Sequence, residues 1–469
     1  MDSFYALLKK QTIVSMPKND NVSLLKEIWY NATFRCNKLN INFCNEYKIS
    51  IGTPTFLPLE NEQEYTVKIT ENGVGILAKD INSLMRGFMA VIIRFIAKNI
   101  NGKCVAVLPI GEISGKFLIK NRFAQICVFP EYSYSFIRKL ARYLCALQFT
   151  HIVIEFFGMY KYKCLKEYGW KNAFSKKQVK SIISDIRAMG AEPVPMFNSF
   201  GHAFGTRGCT GKHVVIDQNP KLAYLYTPDG WSWDITNPIS LQKIKEIRHE
   251  LYELFGNGEF FFVGCDECDI YTKGYAPEET VLSYLNNLTT DIVNEGRKPV
   301  IWADLMLYRP DIKEYETRVW SANAHSREQA EKFLNCLHKD TIIADWQYQF
   351  AEKSPCEQYT AISLKDKGHN VLACSFFNLN VVKSATKTVI NHNLFGYMQT
   401  IWDRAHEYPW IYLDGAICAG LPSNLWYEFG ECSSIICGSV LRKVHFGARK
   451  YKNYGFIDTQ FLKNSRPSN

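Results

Sequence analysis

The densest group of chemically capable side chains lies in the segment EFFFVGCDECD (259–269). An apolar run reaches Gly264, and Asp266, Glu267 and Asp269 follow at once. Carboxylates at the end of a buried strand are costly unless they are paired, hydrogen-bonded or used. The plain alternative is that they cap the next helix or form rim salt bridges. Neighbouring residues on a strand point to opposite sides, so Asp266 and Glu267 suit different tasks. Two carboxylates acting as acid and nucleophile across one glycosidic bond stand about 5–5.5 Å apart, which side-by-side residues supply awkwardly. A division of labour fits better. Glu267 would protonate a leaving oxygen and Asp266 would hold a ligand group, the logic of substrate assistance, in which a 2-acetamido oxygen of a sugar would itself attack the anomeric carbon. In an apolar strand-end setting Glu267 is expected to keep its proton near neutral pH. Cys265 and Cys268 form a C-x-x-C with neither a second ligand pair nor a thioredoxin-like context, so they read as reduced thiols packed around the site.

Other segments offer supporting chemistry. In MFNSFGHA (196–203), His202 follows Gly201 in a loop, where a histidine is structural, exposed or functional. Arg122 precedes an apolar run; it is either a surface charge or a guanidinium whose fixed donors clamp sugar hydroxyls. Trp302-Ala303-Asp304, Asp345-Trp346-Gln347-Tyr348 and Trp402-Asp403-Arg404 each set aromatics beside polar groups, a pattern that walls a pocket for a pyranose ring. Trp231 and Trp233, in a loop with Pro228 and Gly230, read as a lid or outer subsite. No two-His or Cys/His ligand set stands out, so neither metal nor cofactor is expected.

These residues need a scaffold that gathers strand ends. Apolar runs at 123–129, 151–157, 192–197, 259–263, 298–302, 341–346, 371–376 and 396–401 alternate with amphipathic stretches at 133–147, 176–189, 238–255, 277–295, 326–337, 357–367 and 382–391. The alternation predicts an α/β fold, a (β/α)8 TIM barrel, over 119–445, with an open doubly wound sheet as the alternative. There is no G-x-G-x-x-G after a strand and no P-loop. Residues 1–118 read as a small α+β domain: a hairpin of 64–69 with 75–78, then a helix over 81–99 capped by Asp80 and closed by Gly102, then a strand at 104–108. Residues 446–469 read as a tail. The basic group Arg442, Lys443, Arg449, Lys450 and Lys452 reads as a solvated face.

Composition narrows the class. In 469 residues, 47% hydrophobic and 22% charged side chains exclude a disordered chain. Lys+Arg less Asp+Glu is 55 − 46 = +9, and the basic residues are scattered, so no nucleic-acid partner is expected. Aromatics at 14% suit a site that stacks on sugar rings. The most apolar stretch, 88–96, is too short to span a bilayer and is broken by Arg94. The 15 cysteines are odd in number and dispersed, as reduced thiols are. The first residues lack a basic start, apolar run and cleavage site. The expectation is a cytoplasmic protein with no membrane partner.

Taken together, these segments resemble glycoside hydrolase family 20, the β-N-acetylhexosaminidases. Val263–Glu267 resembles that family's [I/V]-G-G/A-D-E motif, Asn198–Ala203 its D-x-P-G-H-x loop, and Pro299–Met306 its P-x-x-W-x-D strand. Residues 65–96 resemble the small domain that precedes its barrel, and HIVIEFFGMYKY (151–162) is similar to the signal-less, hexosaminidase-D-like branch. Cys265, Met196, Asn198, Phe157 and Gly158 depart from the family's usual residues. The resemblance implies a retaining, exo-acting enzyme on terminal β-linked GlcNAc or GalNAc of a small glycan or glycoconjugate. Glu267 would be the acid/base. Asp266 would orient the acetamido group, and Tyr348 would bond its carbonyl. Trp302, Trp346 and Trp402 would wall the sugar. Arg122, Glu155, Asp304 and Asp403 would contact it, and His202 would support the acid. Two other readings use the same residues: a glycan-binding protein without turnover, and a metal-dependent barrel hydrolase with Asp266, Glu267, Asp269 and His202 as ligands.

Overall fold

The computed structural model describes residues 5–7, 11–46, 48–51, 59, 62–203, 215–268, 274–311, 322–348, 351, 356–402, 405–422 and 433–445. The first part of the chain runs β1 (Tyr5–Leu7), β2 (Gln11–Pro17), α1 (Val22–Ala32), β3 (Lys38–Cys44), β4 (Lys48–Ile51), β5 (Gln63–Thr70), β6 (Gly73–Ala78), α2 (Ile81–Arg94), β7 (Ile96–Ile100), β8 (Lys103–Pro109) and β9 (Gly111–Lys116). Six strands form a sheet in the order β3-β2-β4-β6-β5-β9, and three more form β1-β8-β7. The expected hairpin is β5–β6, with Val67 opposite Ile76 and Ile69 opposite Val74. Helix α2 starts where its cap requires, since the Asp80 carboxylate accepts from Ser83 N at 2.7 Å. It stops sooner than its apolar spacing suggests. Residues 96–100 leave the helix to pair antiparallel with β8. Asn101 and Gly102, at φ 52° and 74°, make the two-residue turn, so Gly102 closes a hairpin rather than a helix.

The second part is an eight-stranded parallel barrel: β10 (Arg122–Cys127), β11 (His151–Glu155), β12 (Glu192–Met196), β13 (Phe260–Gly264), β14 (Lys298–Trp302), β15 (Ile342–Asp345), β16 (Asn370–Ser375) and β17 (Gly396–Gln399). Pairing of Arg122 with Tyr397 and of Phe123 with Met398 closes it, which removes the open-sheet alternative. Around it lie α3 (Tyr134–Ala146), α4 (Lys176–Ala188), α5 (Val215–Gln218), α6 (Pro238–Phe255), α7 (Glu278–Asn294), α8 (Arg327–Cys336), α9 (Tyr359–Asp366), α10 (Leu379–His392), α11 (Trp410–Cys418) and α12 (Ser433–Val444). Every second strand residue points inward, and Phe123, Val153, Val194, Phe260, Phe262, Val300, Ile342 and Leu372 fill the barrel as one buried cluster. The opposite strand faces meet the helices in a larger core that continues into the small domain.

The small domain docks against the end where the strands begin. Glu64 accepts from Arg122 Nη1 at 3.0 Å and from Arg86 Nε at 2.7 Å. Arg86 Nη1 donates to Gly190 O at 2.7 Å, just before β12, and the Tyr65 hydroxyl bonds Gln148 Oε1 at 2.7 Å, just before β11. The last helix corrects the reading of the basic tail. Helix α12 packs on α3 and α1, and Lys443 is buried with Nζ bonded to Ile93 O at 2.5 Å. Arg449, Lys450 and Lys452 lie outside the described residues. No helix among the described residues is long and apolar enough to cross a membrane.

Candidate active site

A parallel barrel delivers the residues just after its strands to one mouth. Strand β13 ends at Gly264, and the backbone then turns left-handed: φ is 69° at Gly264, 67° at Cys265 and 49° at Glu267. Gly264 has no substitute here, because a Cβ would lie 1.6 Å from Asn198 Oδ1. The departure from extended geometry also changes the expectation that neighbouring carboxylates point apart. Both reach one imidazole: His202 Nε2 lies 2.5 Å from Glu267 Oε2 and 3.6 Å from Asp266 Oδ2. His202 is itself left-handed, at φ 50°. Such conformations cost roughly 1–3 kcal/mol each and persist where surrounding contacts over-determine them.

Those contacts are visible around Glu267. Its N–H donates to Asp304 Oδ2 at 2.8 Å, and its carbonyl accepts from Trp231 Nε1 at 2.8 Å. The Trp231 ring also covers His202, with centroids 4.2 Å apart. Its loop is pinned in turn, since Asp229 Oδ1 accepts from Trp231 N at 3.1 Å. Trp233, expected with Trp231 in a lid or outer subsite, serves as neither: it is fully buried and donates to Asn198 O at 3.0 Å. The Glu267 side chain is 27% exposed and set against His202, rather than in the wholly apolar setting its strand suggests.

Asp304, expected to contact a sugar, is fully buried and accepts also from Asn323 Nδ2 at 2.6 Å and Trp346 Nε1 at 3.2 Å. Burial, then the charge of Asp266, push its carboxyl up to about 8, against the pull of the Glu267 N–H. Trp346 and Tyr348 are half-buried at the end of β15, their rings 5.6 Å apart. The Tyr348 hydroxyl meets Thr400 Oγ1 at 2.8 Å, and Thr400 Oγ1 donates to Ser375 O at 2.6 Å. With the threonine hydrogen so placed, Tyr348 is the donor to Thr400. Trp402 is half-buried at the end of β17, and Trp302 lies fully buried beneath it, centroids 5.5 Å apart. Glu155 is fully buried; Asn198 Nδ2 donates to it at 2.9 Å.

The structure thus brings Asp266, Glu267, His202, Asp304, Trp346, Tyr348 and Trp402 to one end of the barrel, with Trp302 and Glu155 below. It corrects Arg122. This residue opens β10 instead of ending it, and its guanidinium is bound to Glu64, Gln148 O and Ile119 O at the far end. At about 3.3 Å per residue, the length of β10 separates it from the mouth. Asp269, Asp403 and Arg404 lie outside the described residues. Among the described residues no group of three or more His, Cys, Asp or Glu is arranged to hold a metal ion. Sequence reasoning missed Thr400 and Asn323. Thr400 follows β17 directly, two residues before Trp402, inside the apolar run 396–401, so its place at the mouth was open to inference; Asn323 carries no such signal.

No family model matches the chain, and no curated protein matches it in sequence. Solved structures do. An inactive mutant of a family 20 exo-β-N-acetylglucosaminidase from Vibrio harveyi superimposes with a TM-score of 0.62 at 11% identity, over 94% of this chain and 73% of that one. A family 20 β-N-acetylhexosaminidase from Streptomyces coelicolor gives 0.61 at 10% identity, over 94% and 93%. A β-N-acetylhexosaminidase from Bacteroides fragilis gives 0.59 at 13% identity, over 88% and 87%. At such identities the likeness shows the fold: this chain has the (β/α)8 barrel and preceding small domain seen in those proteins.

Proposed function

We propose that the chain is a glycoside hydrolase of family 20, a retaining exo-β-N-acetylhexosaminidase acting on terminal β-linked GlcNAc or GalNAc. The observation that carries this reading is the end of β13, where Asp266 and Glu267 converge on His202 beneath half-buried Trp346, Tyr348 and Trp402. The fold adds support, since similar structures include a Vibrio harveyi enzyme in complex with N-acetylglucosamine and a Streptomyces plicatus β-hexosaminidase mutant in complex with product GlcNAc.

In this reading the sugar's acetamido oxygen attacks C1 as the glycosidic C–O bond breaks. Glu267 gives its proton to the departing oxygen. Asp266 takes a hydrogen bond from the acetamido N–H, orienting the group and offsetting the positive charge of the oxazolinium that forms. Tyr348 leaves Thr400 to donate to the acetamido oxygen before attack. Water then adds at C1, returning its proton to Glu267, and the ring opens back to the acetamide with configuration retained. His202 holds the Glu267 carboxyl in place. The ligand is a small glycan or glycoconjugate, and the protein supplies no nucleophile.

The test is a panel of p-nitrophenyl β-N-acetylglucosaminide, β-N-acetylgalactosaminide and β-glucoside. Turnover of the acetamido sugars without the glucoside is expected. Cleavage of all three alike, or none, overturns the reading. Loss of activity on chelation would replace it with the metal-dependent one.

A further inference from the structure

We propose that Asp304 is a positioning residue of this site: it fixes the main chain of Glu267, and so the aim of the acid, through a hydrogen bond to that residue's N–H. The inference rests on the family 20 reading and deepens it. Three stretches of chain converge on this one carboxyl. Glu267 N and Asn323 Nδ2 donate to Oδ2 at 2.8 and 2.6 Å, and Trp346 Nε1 donates to Oδ1 at 3.2 Å. Asn323 is tied twice, because its N–H also donates to Asp304 O at 2.7 Å. With no exposed surface and both oxygens occupied, Asp304 cannot bind a ligand directly.

What it can do is hold Glu267 in a conformation that this residue would not choose. A non-glycine residue at φ 49° costs roughly 1–2 kcal/mol. Asp304 grips the peptide at its N–H, while Trp231 grips it at its carbonyl at 2.8 Å. The side chain between these holds then falls 2.5 Å from His202. Asp304 holds Trp346 only by the longest of these contacts, 3.2 Å at the other oxygen, so the wall leans on Asp304 less than the Glu267 main chain does. Stability alone would not favour this carboxyl, which burial, and then the charge of Asp266, push up to about 8. Asparagine would relieve that conflict, yet it can accept at one atom only.

The experiment compares the parent chain, Asp304→Asn and Glu267→Gln on two β-N-acetylglucosaminides: the 2,4-dinitrophenyl glycoside, whose leaving group departs unprotonated, and a methyl or chitobiose glycoside, whose leaving oxygen needs the proton. Misaimed acid predicts a fall in kcat of about 10–100-fold on the second, with KM within about threefold, and under about threefold on the first. Equal losses on both substrates, or no loss, overturn the inference. Should Asp304→Asn fail to fold, Asn323→Ala removes one donor and keeps the carboxyl; it should show the same leaving-group bias at smaller size, and an unbiased loss or none overturns the inference. A parent that cleaves neither glycoside overturns the family 20 reading and this inference together, whereas a parent that cleaves both with an unbiased Asp304→Asn overturns the inference alone.

Discussion

Asp304 links pH to stability with a sign that is unusual for an acid. Its ordinary value is 3.8, and in the fold burial and then Asp266 raise it to about 8. Between those values the folded state holds a proton that the unfolded chain has lost, so this group's contribution to stability declines as pH climbs from about 4 to about 8. Asp304→Asn should therefore lose less stability against the parent at pH 8 than at pH 4, measured as the difference in chemical-denaturation free energy. A gap that is constant across this range would show that the carboxyl does not titrate as described. Residue chemistry was also the most legible layer of the sequence. Three acids after an apolar strand drew attention to the end of β13, where the structure sets Asp266 and Glu267 against His202. Residue type alone leaves His202 structural, exposed or functional, and only the family resemblance pairs it with the acid, because the contact arises from the adjacency of β12 and β13, with 63 residues between Met196 and Phe260 along the chain. Arg122 was misassigned because residue type suited the task while strand polarity, which decides the end of the barrel, was not applied.

At the scale of elements, the alternation of period-two and period-3.6 segments located every barrel strand, because parallel strands buried on both faces read as unbroken apolar runs. The small domain was harder. Helix α2 is buried from Ser83 to Arg94, so no polar face marks its end, and the half-exposed β7 begins two residues later with no turn signal between them. The site depends on how closely β12 and β13 approach at the mouth. Gly264→Ala would force a methyl group into Asn198 and hold an L-residue at φ 69°. The expected penalty is about 2–5 kcal/mol, from roughly 1–2 for the left-handed backbone and 1–3 for overpacking. Activity should fall further than stability predicts, because Asn198 and Glu267 flank the clash. Urea midpoints and kcat/KM on the N-acetylglucosaminide check this; a variant within about 0.5 kcal/mol of the parent would mean that the two strands separate freely.

For the whole molecule, the question is what the small domain does for a site at the opposite end of the barrel. Glu64 sits buried between Arg86 and Arg122 and so joins β5 and α2 to the first barrel strand. Burial alone would raise its pKa, but the two guanidinium groups outweigh burial and hold it at about 2, below the ordinary 4.5. Its folded value is depressed, so the stabilisation is complete above about 4.5 and is lost as pH falls toward 2. Glu64→Gln leaves two buried cations without their counter-charge and should cost about 3–5 kcal/mol at pH 7, with the gap to the parent closing as pH approaches 2. Below its unfolding temperature the variant should keep the parent's KM, because Arg122 is anchored a barrel's length from Asp266 and Glu267. A raised KM at full folding would return Arg122 to the ligand and overturn its assignment to the domain junction. An unchanged KM with lowered stability would establish that the small domain supports the barrel from behind and leaves the mouth to the loops.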